Sequence, residues 1–185
     1  MDLVYKVAET DSDFEQILSL QKLNHHNTIS REVQDREGFV FAEHTLEKLK
    51  TMSEHVPQVI AVADGQIIAY TLAMTTSMKD HIPSLTSMFG QFRECQYQHK
   101  PLLDYPFVIG GQVCVAESYR GMGIFPGLYY ALAKHTKGKY RLCVTEIAQR
   151  NPRSLRAHQK MGFEIIRTFS DDKETWDIVA WDMLR

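Results

Sequence analysis

Apolar and polar residues alternate over residues 3–8, the period-two pattern of a strand with one buried face. Asp11 or Ser12 can then cap a helix that carries Phe14, Ile17, Leu18 and Gln21 on one side and ends near Asn24. Residues 25–37 are polar and read as a loop, and 38–41 are short and apolar. Helical spacing returns over 45–55, with Leu46, Leu49, Met52 and Val56 inward. Residues 58–63 and 66–75 form the plainest hairpin in the chain, because the intervening Asp64-Gly65 favours a type I′ turn.

Residues 107–116 follow as a β-branched, uncharged strand with Gly110-Gly111 inside it, and glycine there marks a bulge or a close backbone approach. A tight turn holding Arg120, Gly121 and Gly123 leads into a helix to about Thr136, whose Ile124, Leu128, Ala131 and Leu132 share a face. Residues 140–148 read as the next strand. Asn151 caps a helix with Pro152 at its first position, and Gly162 ends it. Strands 163–169 and 175–181 close the chain as a hairpin. The order predicts an α/β (α+β) fold: a mixed, mostly antiparallel central sheet flanked by helices, with one parallel crossover over 107–147.

Between hairpin and crossover, residues 77–106 stand apart. They hold Pro83, Pro101 and Pro106 with Met78, Met88, Phe89, Phe92 and Tyr97 among them, and a helix over about 84–95 is predicted. A connection this long with its own aromatics suits a lid or substrate wall, or else a packing excursion over a sheet edge.

The 185 residues fit a single domain, 1–185, with a sizeable core; 44% apolar and 24% charged residues exclude a disordered chain. A formal charge of −2 without a long basic run disfavours nucleic acid as a partner. No apolar run reaches membrane-spanning length and the first residues lack a signal-peptide core, so no membrane and a cytoplasmic location are expected. Cys95, Cys114 and Cys143 are widely spaced and odd in number, which fits reduced thiols. The eight histidines show no ligand spacing, so no metal is expected.

The strand-turn-helix at 112–125 is the first candidate for chemistry. Such a turn points several unbonded N–H groups at one spot, the helix dipole adds positive charge, and glycines let phosphate oxygens approach. Arg120 can add a fixed charge. No Gly-Lys-Ser/Thr follows, which excludes a P-loop, and the third glycine of a dinucleotide fingerprint is missing.

Val115-x-x-x-Tyr119-Arg120-Gly121-Met122-Gly123-Ile124 resembles the acyl-CoA pyrophosphate loop of the GCN5-related N-acetyltransferase (GNAT) superfamily. Asn151-x-x-Ser154-x-x-x-His158-x-x-x-Gly162-Phe163 resembles its second signature, and Glu146-Ile147 resembles the Glu-Val that often ends the preceding strand. The resemblance covers about residues 107–165. Ser118 stands where the family usually has Gln or Arg, and His158 where it commonly has tyrosine. What the resemblance implies is transfer of acetyl from acetyl-CoA, as co-substrate, to an amine by direct attack in a ternary complex. It also implies coenzyme contacts from Val113, Cys114 and Val115 to pantetheine, from Arg120, Gly121, Met122, Gly123, Ile124 and Phe125 to pyrophosphate, and from Asn151 and Ser154. His158 is then expected to protonate the departing thiolate, and Glu146 to take the amine proton through water. Cys114, inside an apolar strand with no adjacent base, is a poor nucleophile. A non-catalytic acyl-CoA-binding or regulatory domain is the alternative. The near-neutral charge fits a small-molecule amine or a peptide terminus as acceptor, and a homodimer is left open.

Overall fold

The computed structural model describes residues 2–185, the side chain of Ser84 excepted. Its centre is a seven-stranded sheet in the order β1-β2-β3-β6-β7-β9-β8. The strands are β1 (Leu3–Val7), β2 (Val59–Ala63), β3 (Gln66–Met74), β6 (Phe107–Val115), β7 (Leu142–Ala148), β8 (Glu164–Ser170) and β9 (Thr175–Asp182). β6 and β7 are parallel, joined by helix α5 (Ile124–His135); the other neighbours are antiparallel. Asp64 and Gly65 both have positive φ, 50° and 81°, as a type I′ turn requires.

The remaining helices are α1 (Asp11–Asn24), α2 (Arg31–Glu37), α3 (Leu46–His55), α4 (Thr86–Gln91) and α6 (Pro152–Met161). α1 is capped by Thr10, not by Asp11 or Ser12: Thr10 and Asp13 exchange backbone-to-side-chain bonds of 3.1 Å in a capping box. α2 is a helix where a loop was expected. It begins at a Ser30 cap and ends at Gly38, φ 77°, but buries only Gln34, so no apolar stripe announces it. α6 has the expected bounds, with the Asn151 cap on Ser154 N and a left-handed Gly162 at its end.

The sheet carries a core on each face. Tyr70, Leu72 and Met74 of β3 face one, with Phe14, Ile17, Leu49 and Met52 of α1 and α3. Ala69 and Ala73 face the other, with Leu128, Tyr129 and Leu132 of α5, and Phe163 and Trp181. The run from Met78 to Leu102 belongs to the first core and lies over Leu142, Val144, Ile178 and Ala180, the same face of β7 and β9. The expected helix 84–95 is broken there: α4 keeps six residues, flanked by 3-10 turns at Pro83–Leu85 and Phe92–Glu94. A two-residue hairpin, β4 (Gln96–Tyr97) and β5 (Lys100–Pro101), follows. All three cysteines are free and buried. Among the described residues no helix is long and apolar enough to cross a membrane.

Candidate functional site

β6 and β7 pair only from Phe107–Ile109 to Leu142–Val144, then part. At the fork Leu72 faces Gln112 while Ala73 faces Gly110, which leaves Gly111 as an extra, bulged residue and bends β6. Thr145 Oγ1 donates to Gly110 O at 2.8 Å and closes the fork. Beyond it Val113, Cys114 and Val115 keep their partners on β3, and all three line a cavity of about 500 Å3.

At one end of this cavity the chain turns through Gly121 and Gly123, both left-handed at φ 79° and 77°, a conformation glycine adopts without steric strain. No atom lies within 4 Å of where a Cβ would stand at either, so the space over the turn is open. Gly123 caps α5, whose first N–H groups have no helical carbonyl to take them. Arg120 serves as a brace here. Its Nε donates to Val115 O at 3.0 Å, Nη1 to Glu37 Oε2 at 3.2 Å and Nη2 to Asn24 Oδ1 at 2.5 Å, while its own N–H is bonded to Glu117 O. The Met122 side chain is exposed and does not line the cavity, so only its backbone N–H is available to the turn.

The opposite wall is α6, which presents Arg153, Arg156 and Lys160 beside Asn151 and Ser154. With Arg120 that makes four cations against one lining carboxylate, Glu37, which also takes a 2.7 Å bond from Arg153 Nη1. Burial pushes the Glu37 carboxyl up, but bonds from Arg36 and Arg120 and the charge of Arg153 outweigh it and hold it below the ordinary range. Residues 38–40 cover the cavity between these walls, with Asn151 Nδ2 donating to Phe39 O at 3.2 Å.

A smaller pocket of about 90 Å3 opens off the cavity between the parted strands and shares Val113, Asn151 and Ser154 with it. Glu146 lines it. It lies on the face of β7 that Leu142 and Val144 share, the face under residues 78–102, and its Oε2 is buried with no hydrogen-bond partner. Burial, then the nearby Asp171 charge, push its carboxyl up to about 8. Leu85 and Met88 from the long connection form part of the same wall.

His158 also lines this pocket, but it is only 2% exposed, and burial pulls its imidazole down to about 4, so it is neutral. Nδ1 lies 2.8 Å from Ser154 O, an acceptor, so Nδ1 carries the proton. Nε2, 2.8 Å from the Tyr129 hydroxyl, must then accept from it. In this arrangement the Nδ1 proton, the one His158 was expected to give to a thiolate, faces a backbone carbonyl, and the hydroxyl that faces Nε2 is that of Tyr129. Burial pushes the Cys114 thiol up to about 12, which disfavours the thiolate a nucleophile needs.

The cavity thus gathers Val113, Cys114, Val115, Arg120, Gly121, Gly123, Ile124, Phe125, Asn151 and Ser154, and the smaller pocket adds Glu146 and His158. Sequence reasoning missed Tyr129, Glu37 and the basic stripe on α6. The stripe was readable, because 153, 156 and 160 share a helical face. Glu37 was not, because its partners lie 83 and 116 residues away.

Residues 15–163 match the model of the Acetyltransferase (GNAT) family. No curated protein matches the chain by sequence. Among solved structures, the chain is similar to an N-acetyltransferase from Staphylococcus aureus Mu50, with 17% identity, a TM-score of 0.63 and 99% of each chain covered. It is similar to the ribosomal-protein-S18-alanine N-acetyltransferase from Escherichia coli, with 11% identity and a TM-score of 0.64 over 98% of this chain and 94% of that one. It is also similar to yncA from Salmonella typhimurium, solved with its cofactor acetyl-CoA, with 12% identity and a TM-score of 0.62 over 99% of this chain and 95% of that one. At these identities the likeness is one of fold.

Proposed function

The chain belongs to the acetyltransferase (GNAT) family, and from that premise we propose that residues 1–185 act as one N-acetyltransferase domain, moving acetyl from acetyl-CoA to a small-molecule amine or a peptide terminus within a ternary complex. The observation that carries this reading is the fork. It joins a turn suited to an anion, an open strand edge and a carboxylate with one oxygen buried and unpartnered in two connected cavities.

The coenzyme fits the larger cavity. The N–H groups of the 121–125 turn and the cations of α6 suit its phosphates, and the edge of Val113–Val115 suits the amides of pantetheine. The thioester then lies at the fork. Glu146 takes a proton from the ammonium, directly or through a water, and the neutral nitrogen attacks the acetyl carbon. The carbon–sulfur bond breaks, and the thiolate takes the proton of the Tyr129 hydroxyl as that hydroxyl turns from His158 Nε2 toward the sulfur; solvent then replaces the proton. His158 positions that hydroxyl through Nε2. The products are the amide and CoA thiol.

Calorimetry with acetyl-CoA, with thiol release measured across a panel of amines, tests the reading. Binding with amine-dependent thiol release is expected. Binding without turnover on any amine favours a non-catalytic acyl-CoA-binding domain, and absence of binding refutes the coenzyme site.

A further inference from the structure

Within the acetyl-transfer reading, on which this inference rests, the smaller pocket also constrains the acceptor. Among its described lining residues Glu146 is the one carboxylate, and no lysine, arginine or aspartate joins it. The wall beside Glu146 is apolar and drawn from three separate segments: Phe41 and Ala42, Leu85 and Met88, and Trp176.

That wall is fixed in place. The backbone carrying it is tied at Phe41 O by His25 Nε2, 2.9 Å, and at Ala42 O by Gln112 Nε2, 2.7 Å. Phe41 stacks on His26 with ring centroids 4.5 Å apart and meets Trp176 edge-on at 5.3 Å. The Trp176 indole donates to Asp171 Oδ1 at 3.1 Å. Asp171 is the acidic group whose charge reaches Glu146, and the same oxygen also takes the N–H groups of Lys173 and Glu174. A second ammonium therefore meets an aromatic wall and a carboxylate already engaged in its own turn.

An extended chain binds by adding to a free edge. β9 covers one edge of β7 along its whole length, and the other edge is free only over Thr145–Ala148, inside the fork. A peptide acceptor would have only that short, recessed edge to pair with, because the free edge of β6 at Val113–Val115 lines the larger cavity.

We infer that the acceptor is a primary amine on a compact apolar body, an alkylamine or arylalkylamine, seated with its nitrogen at Glu146 and its carbon skeleton against Phe41, Met88 and Trp176. The reaction balances as amine plus acetyl-CoA giving N-acetylamine plus CoA thiol; the nitrogen–carbon bond forms as the carbon–sulfur bond breaks.

The test is steady-state thiol release with acetyl-CoA and isobutylamine, 2-phenylethylamine, spermidine, a lysine-containing peptide blocked at its N-terminus, and a peptide with a free N-terminus. The two apolar amines are expected to exceed the other three at least tenfold in kcat/KM. Met88→Gln should raise their KM several-fold while acetyl-CoA affinity, read by calorimetry, stays the same. Preference for spermidine or either peptide overturns the inference and leaves acetyl transfer standing. Bound acetyl-CoA with no turnover of either apolar amine also overturns it. Failure to bind acetyl-CoA removes the underlying reading and this inference with it.

Discussion

On the side of the cleft proposed for the coenzyme the polar groups are backbone donors and cations, supplied by one turn and one helix, and the space above them is open. On the side proposed for the acceptor they are a carboxylate, a hydroxyl and apolar walls, gathered from β6, β7, β9, α4, α5, α6 and the segment after α2. In the proposed reading the first side recognises charge and needs backbone shape more than particular side chains. The second would exclude water and act through atoms whose protonation burial has changed. Substitutions on the two sides should therefore fail in different measurements, binding on one and turnover on the other.

The largest effect should come from Glu146→Gln. Loss of a positioned base lowers turnover by about 10²–10⁴-fold, with acetyl-CoA affinity unchanged. In the wild type, kcat/KM should rise as pH increases through about 8, where the carboxyl ionises, and the variant should lose that limb. Stability supplies a second sign. The carboxyl holds its proton to about pH 8 when folded but releases it near 4.5 when unfolded, so its contribution is lost as pH rises across that window. Glu146→Gln should therefore melt above the wild type at pH 9. A variant that turns over normally would move the base elsewhere.

Gly121→Glu should break the other side. The left-handed backbone opposes any Cβ by ~1–2 kcal/mol, and a carboxylate facing phosphate adds like-charge repulsion of several kcal/mol. CoA affinity should fall roughly 10²–10³-fold in a chain that still folds, because the side chain meets only open space. Unchanged affinity in calorimetry would place the phosphates away from this turn.

Tyr129→Phe comes next, at the low end of acid catalysis, about 10²-fold in turnover. His158→Gln should lose less, because it disturbs Tyr129 without removing the hydroxyl. A larger loss in His158→Gln than in Tyr129→Phe would return the donor role to the imidazole. Proton inventory also distinguishes the folded and unfolded states here. His158 and His44 are both pulled to about 4 by burial, so stability should fall as pH drops from 6.5 toward 4.

What was legible in the sequence follows the same division. Gly121, Gly123, Asn151, Pro152 and Gly162 each answer a local backbone demand, so their types announced the turn and the α6 bounds. The bulge showed as Gly110-Gly111. The acceptor wall showed only in part: the long connection carrying Met88 read as a lid or substrate wall, but Phe41 and Trp176 join it only after distant segments pack, and neither is distinguishable in sequence from a core residue. His158 was found by motif spacing, but its proton's partner depends on Tyr129, 29 residues away on another helix. α2 was missed because its stability comes from caps and from Glu37, not from an apolar face.

The smallest effect, and the finest test of the division, is Glu37→Gln. Glu37 is the one carboxylate among the cavity-lining residues and offsets part of the charge of Arg120 and Arg153, the two cavity-lining cations it bonds. Glutamine keeps the shape and one acceptor oxygen, so the segment after α2 should stay in place while its negative charge disappears. Removing a partly buried rim charge of this kind changes binding by a factor of about 2–5. The sign is set by the phosphates: with the carboxylate gone, CoA should bind more tightly, and the gain should shrink as salt is raised, because screening weakens the field it came from. The acceptor KM should not move, since no described residue of the smaller pocket bonds Glu37. Weaker CoA binding in this variant would mean that the carboxylate acts mainly as a clasp, holding Arg120 and Arg153 in position for the coenzyme. The charge and shape contributions on that side would then be inseparable, and only the acceptor side would keep a simple reading.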